Sequence, residues 1–149
     1  MSWRSLILLS VLMNQLTLCL LAQADLEKLK ADAEKAQGGQ QGKIYAELAD
    51  RLVALANQQF TAGNSVQGHE TVRDILQYAT KAHDIALRTK DDRKQVEIHL
   101  RQAQRHLEDM KRTLAAEDRP AVDDVEKKLA QFRQELLDSM FAPKKKDTK

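Results

Sequence analysis

Along most of the chain apolar residues return every third or fourth position, the spacing that lines one face of an α-helix. The cleanest run is Val96, Leu100, Ala103, Leu107, Met110 and Leu114, which repeats at the four-three spacing of a packed heptad seam. A following segment carries Val122, Val125, Leu129, Phe132, Leu136 and Met140 in the same way, and a preceding one carries Val72, Ile75, Ala79, Ala82 and Ala86. Further upstream, Ile44, Leu48, Leu52 and Leu55 mark one face of a helix over about 43–62, with Ala49, Ala56 and Phe60 beside them. A short first helix is predicted over about 25–37 from Leu26, Leu29, Ala33 and Ala36.

The breakers place the joints. All five glycines lie between residues 38 and 68, and Pro120 and Pro143 are the only prolines. Gly38-Gly39-Gln40-Gln41-Gly42 reads as a flexible linker with no reason to order. Gly63 supplies the left-handed residue that ends a helix, and Ser65 can cap the next one. Asp118 ahead of Pro120 marks another start. The third seam stays in phase with the fourth through Thr89 and Arg93, so a single helix of some fifty residues, about 75 Å long, is one reading. A turn is favoured, because Thr89-Lys90-Asp91-Asp92 resembles a capping box and two polar seam positions would interrupt a core.

The predicted fold is all-α: an antiparallel bundle of about four main helices of similar length, preceded by a short N-terminal helix. Its seams are rich in alanine, which lets helices approach closely but buries little area per residue. Moderate stability, or help from self-association, is the expectation.

Composition agrees and adds a division. The 149 residues are 42% hydrophobic, 31% charged and 4% aromatic, with few Gly and Pro, which disfavours sandwiches, barrels and disulfide scaffolds. Residues 1–24 differ from the rest: a single charge (Arg4), a long apolar run, then Ala22-Gln23-Ala24 as a small-x-small site. This is the order of a secretory signal peptide cleaved after Ala24. An uncleaved anchor is the alternative, although Asn14 and Gln15 interrupt a run shorter than a spanning helix needs. Trp3 and Cys19 fall in this piece, so the mature chain would carry neither disulfide nor thiol nucleophile. The expected organisation is a signal peptide over 1–24, a short helix and linker over 25–42, a bundle over 43–142 and a disordered lysine-rich tail over 143–149.

Candidate chemistry is sparse. His69, His83, His99 and His106 lack the i, i+4 pairing of a helical metal site, and they read as rim residues with packed bodies and wet nitrogens. Paired acids such as Asp91-Asp92 and Asp123-Asp124 fall at helix ends, where capping and the helix dipole account for them. No catalytic residue, cofactor site, metal site or small-molecule substrate is indicated. One charged pattern stands out. Lys94, Arg101, Arg105 and Arg112, at seven-four-seven spacing, form a stripe on one helix face. The stripe could meet an anionic membrane or envelope polymer. Glu97, Glu108 and Asp109 are interleaved with it and no aromatic platform accompanies it, so it reads foremost as a solvated face and not as a specific nucleic-acid site.

Two resemblances add to this. Residues Gln59 to Gly68, with a Gly63-Asn64 turn and a small residue at Gly68, resemble the turn of a tetratricopeptide helical hairpin, although no 34-residue repeat follows. That resemblance implies hairpin packing of the tetratricopeptide kind, as an alternative to coiled-coil packing. Separately, Arg105 to Leu114, Glu117-Asp118-Arg119-Pro120 and Leu136 to Phe141 resemble exported helical proteins of acidobacteria-type bacteria, which implies an envelope location and carries over no functional residue. The expected function is a non-enzymatic, exported module of the bacterial envelope, periplasmic or extracellular, that binds a protein partner or itself. The alternative is a periplasmic carrier or chaperone-like bundle for an apolar or anionic ligand.

Overall fold

A computed structural model describes residues 23–141. Five helices pack together: α1 over 23–35, α2 Gly38–Thr61, α3 Ser65–Thr89, α4 Arg93–Lys111 and α5 Arg119–Phe141. The signal-peptide reading rests almost wholly on residues 1–22, and the lysine-rich tail on 143–149; both lie outside the described residues. Within the described residues no helix is long and apolar enough to cross a membrane.

α2 and α3 form one antiparallel hairpin, with Thr71 Oγ1 donating to Gln59 Oε1 near the turn and Gly42 beside Ile85 at the far end. α4 and α5 form a second, with Lys111 bonded to Glu126 near the connection and Arg93 bonded to Ser139 at the far end. The hairpins stack so that α2 lies beside α4 and α3 beside α5, while α3 and α4 touch only lightly across the diagonal. Asp50 faces His106, and Asn57 borders the same cleft as Thr113, so α2 and α4 run parallel. His69 faces Asp118, and His83 faces Glu135, so α3 and α5 do too. α1 runs back along α2, held by a bond from Gln41 Nε2 to the Ala33 carbonyl, with Lys30 electrostatically coupled to Tyr78 and Asp74 of α3.

The core follows the seams closely. Val72, Ile75, Ala79, Ala82 and Ala86 of α3 are buried, as are Val96, Leu100, Ala103, Leu107 and Met110 of α4 and Val122, Val125, Leu129, Phe132 and Leu136 of α5. On α2 the face is turned from the expected one. Ala46, Ala49, Val53 and Ala56 join Leu48 and Leu52 inside, whereas Ile44 and Leu55 are half-buried. This helix has α1, α3 and α4 around it, and alanines are what allow such close approach on several sides.

The linker expectation over 38–42 is overturned. Gly38–Gly42 are the first turns of α2, and Gly39 and Gly42 are buried. A Cβ on Gly39 would stand 2.6 Å from Asp91 Cβ, and one on Gly42 would stand 3.1 Å from Ile85 Cγ2. These glycines are there because the start of α2 is pressed against the end of α3. Gly68 shows the same physics at the other end, where an added Cβ would lie 2.7 Å from the Phe60 ring.

The helix ends also differ in detail from the expected caps. The chain does turn at Lys90–Asp92, with Lys90 and Asp92 both left-handed, but Asp92 makes no side-chain cap bond. Asn64, not Ser65, is the N-cap of α3, and Ser65 Oγ instead donates to Asp118 Oδ2 at 3.2 Å. α4 stops at Lys111, and Leu114, expected as the last seam residue, lies in the connection yet stays buried.

Candidate functional site

α2 exposes a ridge at Arg51, Ala54 and Asn57. Ala54 sits on that ridge with only a methyl group above the backbone, and a cleft opens on each side of it. Towards α1 the cleft is about 260 Å³, between Asp25 and Leu26 on one wall and Arg51, Leu55 and Gln58 on the other. Towards α4 it is about 340 Å³, with Val53 and Met110 at its base and Asn57, His106, Asp109 and Thr113 at its rim. Together they make one open groove across α1, α2 and α4, apolar below and polar at the edges. His106 Nδ1 lies 2.8 Å from Asp50 Oδ1 and joins the two walls of the second cleft.

The basic stripe is placed as the spacing requires, on the side of α4 opposite its buried seam. Its members are not equivalent. Arg101 reaches the buried Glu97 at 3.5 Å, and Arg112 reaches Glu108 at 3.4 Å and Asp109 at 3.6 Å. Lys94 and Arg105 have no acidic partner among the described residues. Half of the stripe's charge is thus already answered within its own helix, which weakens it as an anionic-surface contact.

The histidines depart from the rim reading. His83 is buried, its ring stacked on Phe132 with centroids 4.4 Å apart. Its Nε2 lies 2.8 Å from Glu135 Oε2, close in distance but off the hydrogen-bonding direction. His69 Nε2 meets the buried Asp118 at 2.8 Å, with the ring edge-on to Phe60. His99 keeps a buried Nδ1 without a partner. Only His106 remains on the rim. Sequence spacing had no access to these pairings, because their partners lie 49 to 56 residues away for His69 and His106.

Two further charge clusters went unseen for the same reason. Arg133 links Glu97 and Gln104 across α4 and α5. Lys111 holds both Asp123 at 2.7 Å and Glu126 at 2.6 Å. Those bonds hold the Lys111 ammonium well above the usual lysine range, Asp123 being the larger cause, and in turn hold the Asp123 carboxyl below its ordinary value. Among the described residues no group of three or more metal-ligating side chains is gathered. No protein-family model, no curated protein and no solved structure matches the chain.

Proposed function

We propose that the chain is a non-enzymatic, exported helical module that binds a protein segment in the groove across α1, α2 and α4. The observation that supports this is the pair of clefts sharing Ala54, with Leu26, Leu55, Val53 and Met110 beneath a polar rim. Such a surface takes side chains from an extended or helical peptide on either side of a low ridge, beneath a polar rim. Stacked hairpins that leave one helix of each pair along a shared open face are also how tetratricopeptide-type proteins present a groove. The open form of the clefts suits a chain lying across them better than a small ligand enclosed between helices.

The test is affinity capture from envelope extract with the wild-type chain and with Ala54→Arg, which sets a long charged side chain on the exposed ridge that the two clefts share. A protein retained by the first and lost by the second, at unchanged helicity, supports the reading. Equal retention by both rejects it. Charge reversal at Arg105 is the companion test for the stripe, read as retention on anionic vesicles.

A further inference from the structure

Large apolar side chains are seldom left in water in this molecule. Among the described residues Phe141 is 78% exposed and Val66 75%, and no other large apolar side chain stands so far out. The two lie at opposite ends of the stack, Val66 in the first turn of α3 and Phe141 in the last turn of the parallel α5. Phe141 faces outward because it falls one position past the α5 seam, next to the half-buried Met140.

What surrounds Phe141 is basic. Arg93 Nη1 donates to the Ser139 carbonyl at 2.8 Å and its Nε to the Ala86 carbonyl at 3.3 Å, so the last turn of α5 is fastened to the joint between α3 and α4. Lys90, Arg93 and Lys94 thereby share one shallow depression with Ser139 and Met140. Lys90 and Lys94 are exposed, and neither has an acidic partner among the described residues. Two acids lie at the same joint, Asp91 backed onto Gly39 of α2 and Asp92 at the head of α4. Asp138 accepts a bond from Gln134 of its own helix. The sequence after Phe141 tips the balance: Ala142-Pro143 is followed by Lys144-Lys145-Lys146, and residues 144–149 hold four lysines against Asp147.

We propose that this end of the bundle is a contact site for an anionic phospholipid bilayer. The Phe141 ring seats among the headgroups, and Lys90, Lys94 and the lysines that follow in the sequence meet the lipid phosphates. An exposed ring beside long cationic side chains is the make-up of an interfacial contact and not of a spanning one. One ring holds weakly at such a surface. The lysines supply the rest, about fivefold in partitioning for each one brought near an anionic leaflet. The stripe on α4 lacks this combination, since Arg101 and Arg112 are answered by acids of their own helix. The groove is built from the second halves of α2 and α4, so a bundle held by this end keeps the groove off the surface. The site is separate from the groove and holds whether or not the groove binds a protein.

The experiment places an indole at the site. Trp3 is the chain's one tryptophan, so Phe141→Trp in a Trp3→Phe full chain gives a single reporter at position 141. Vesicles of phosphatidylglycerol and phosphatidylcholine in equal parts are compared with phosphatidylcholine alone, each with and without brominated acyl chains. The expected result is a blue shift and bromine quenching on the anionic vesicles only. Partitioning should fall tenfold or more when Lys90→Glu and Lys94→Glu are added, and also in about 1 M salt, where charges are screened over about 3 Å. Val66→Trp in the same Trp3→Phe chain should stay unquenched. An unshifted reporter at 141 overturns the proposal, as does equal quenching on neutral vesicles or at position 66. So does a blue shift that grows with protein concentration in the absence of vesicles, which would make a second copy the occupant.

Discussion

Arg133 of α5 reaches Glu97 of α4 with Nη2 3.0 Å from Oε1, and the same guanidinium donates to Gln104 Oε1 at 2.6 Å. Glu97 is buried, and its other cation, Arg101, stands farther off at 3.5 Å. One arginine therefore carries most of the task of keeping a buried carboxylate paired between two helices. Arg133→Ala is expected to destabilise by about 1–3 kcal/mol, the cost of stranding a buried acceptor. Pairing it with Glu97→Gln in a double-mutant cycle should recover part of that loss in urea denaturation.

The stripe is expected to divide under charge reversal. Arg105→Glu should leave the thermal midpoint almost unchanged, because Arg105 is exposed and has no acidic partner among the described residues. Arg101→Glu should lower it, because it sets a second carboxylate beside buried Glu97. A difference of about 1 kcal/mol between the two variants is the expected scale.

Gly39→Ala tests whether the start of α2 is ordered against α3. The added Cβ would meet Asp91 Cβ at 2.6 Å, so the two helix ends must separate. A loss of about 1–3 kcal/mol is expected from such overpacking, whereas in a free linker the same change would be neutral.

Leu107→Ala removes a fully buried side chain from the α4 seam, and about 2–5 kcal/mol of stability should go with it. A midpoint shift much below this in thermal or urea unfolding would mean that the seam does not face a packed core.

The Lys111–Asp123 contact makes a prediction for extremes of pH. Asp123 is held below its ordinary value, so its contribution is present above the usual aspartate range, near about 3.9, and fades as the pH falls through the depressed value. Lys111 is held above its ordinary value, so its contribution is present below about 10.4 and fades only at strongly alkaline pH. Asp123→Asn should therefore weaken the protein at neutral pH and bring it level with wild type in strong acid, as read by circular dichroism across an acid titration.

Helix number, the positions of α3, α4 and α5 and most of their buried faces were legible in the sequence, because a helix that packs on one side must repeat its apolar residues with the helical period. The turn at Lys90–Asp92 was legible too, from the polar residues that would have broken the seam. Two things were not. Glycine looks the same in a linker and in a crowded contact, and only Asp91, some fifty residues away in the chain, tells Gly39 apart from a hinge. Histidine beside a seam looks the same wet or paired, and only the second hairpin supplies Glu135 from α5 and Asp118 from the connection before it.

The chain's own pattern therefore determined the all-helical fold, the joints that follow α2, α3 and α4 and the stripe on α4, since each depends on residues a few positions apart. Tertiary structure decided the rest. It ran α2 parallel to α4 and α3 parallel to α5, turned the α2 face towards its alanines and opened the groove on either side of Ala54. It also placed a histidine in each ion pair between the hairpins among the described residues. Those features depend on which surfaces meet, and short-range periodicity holds no record of what lies across an interface.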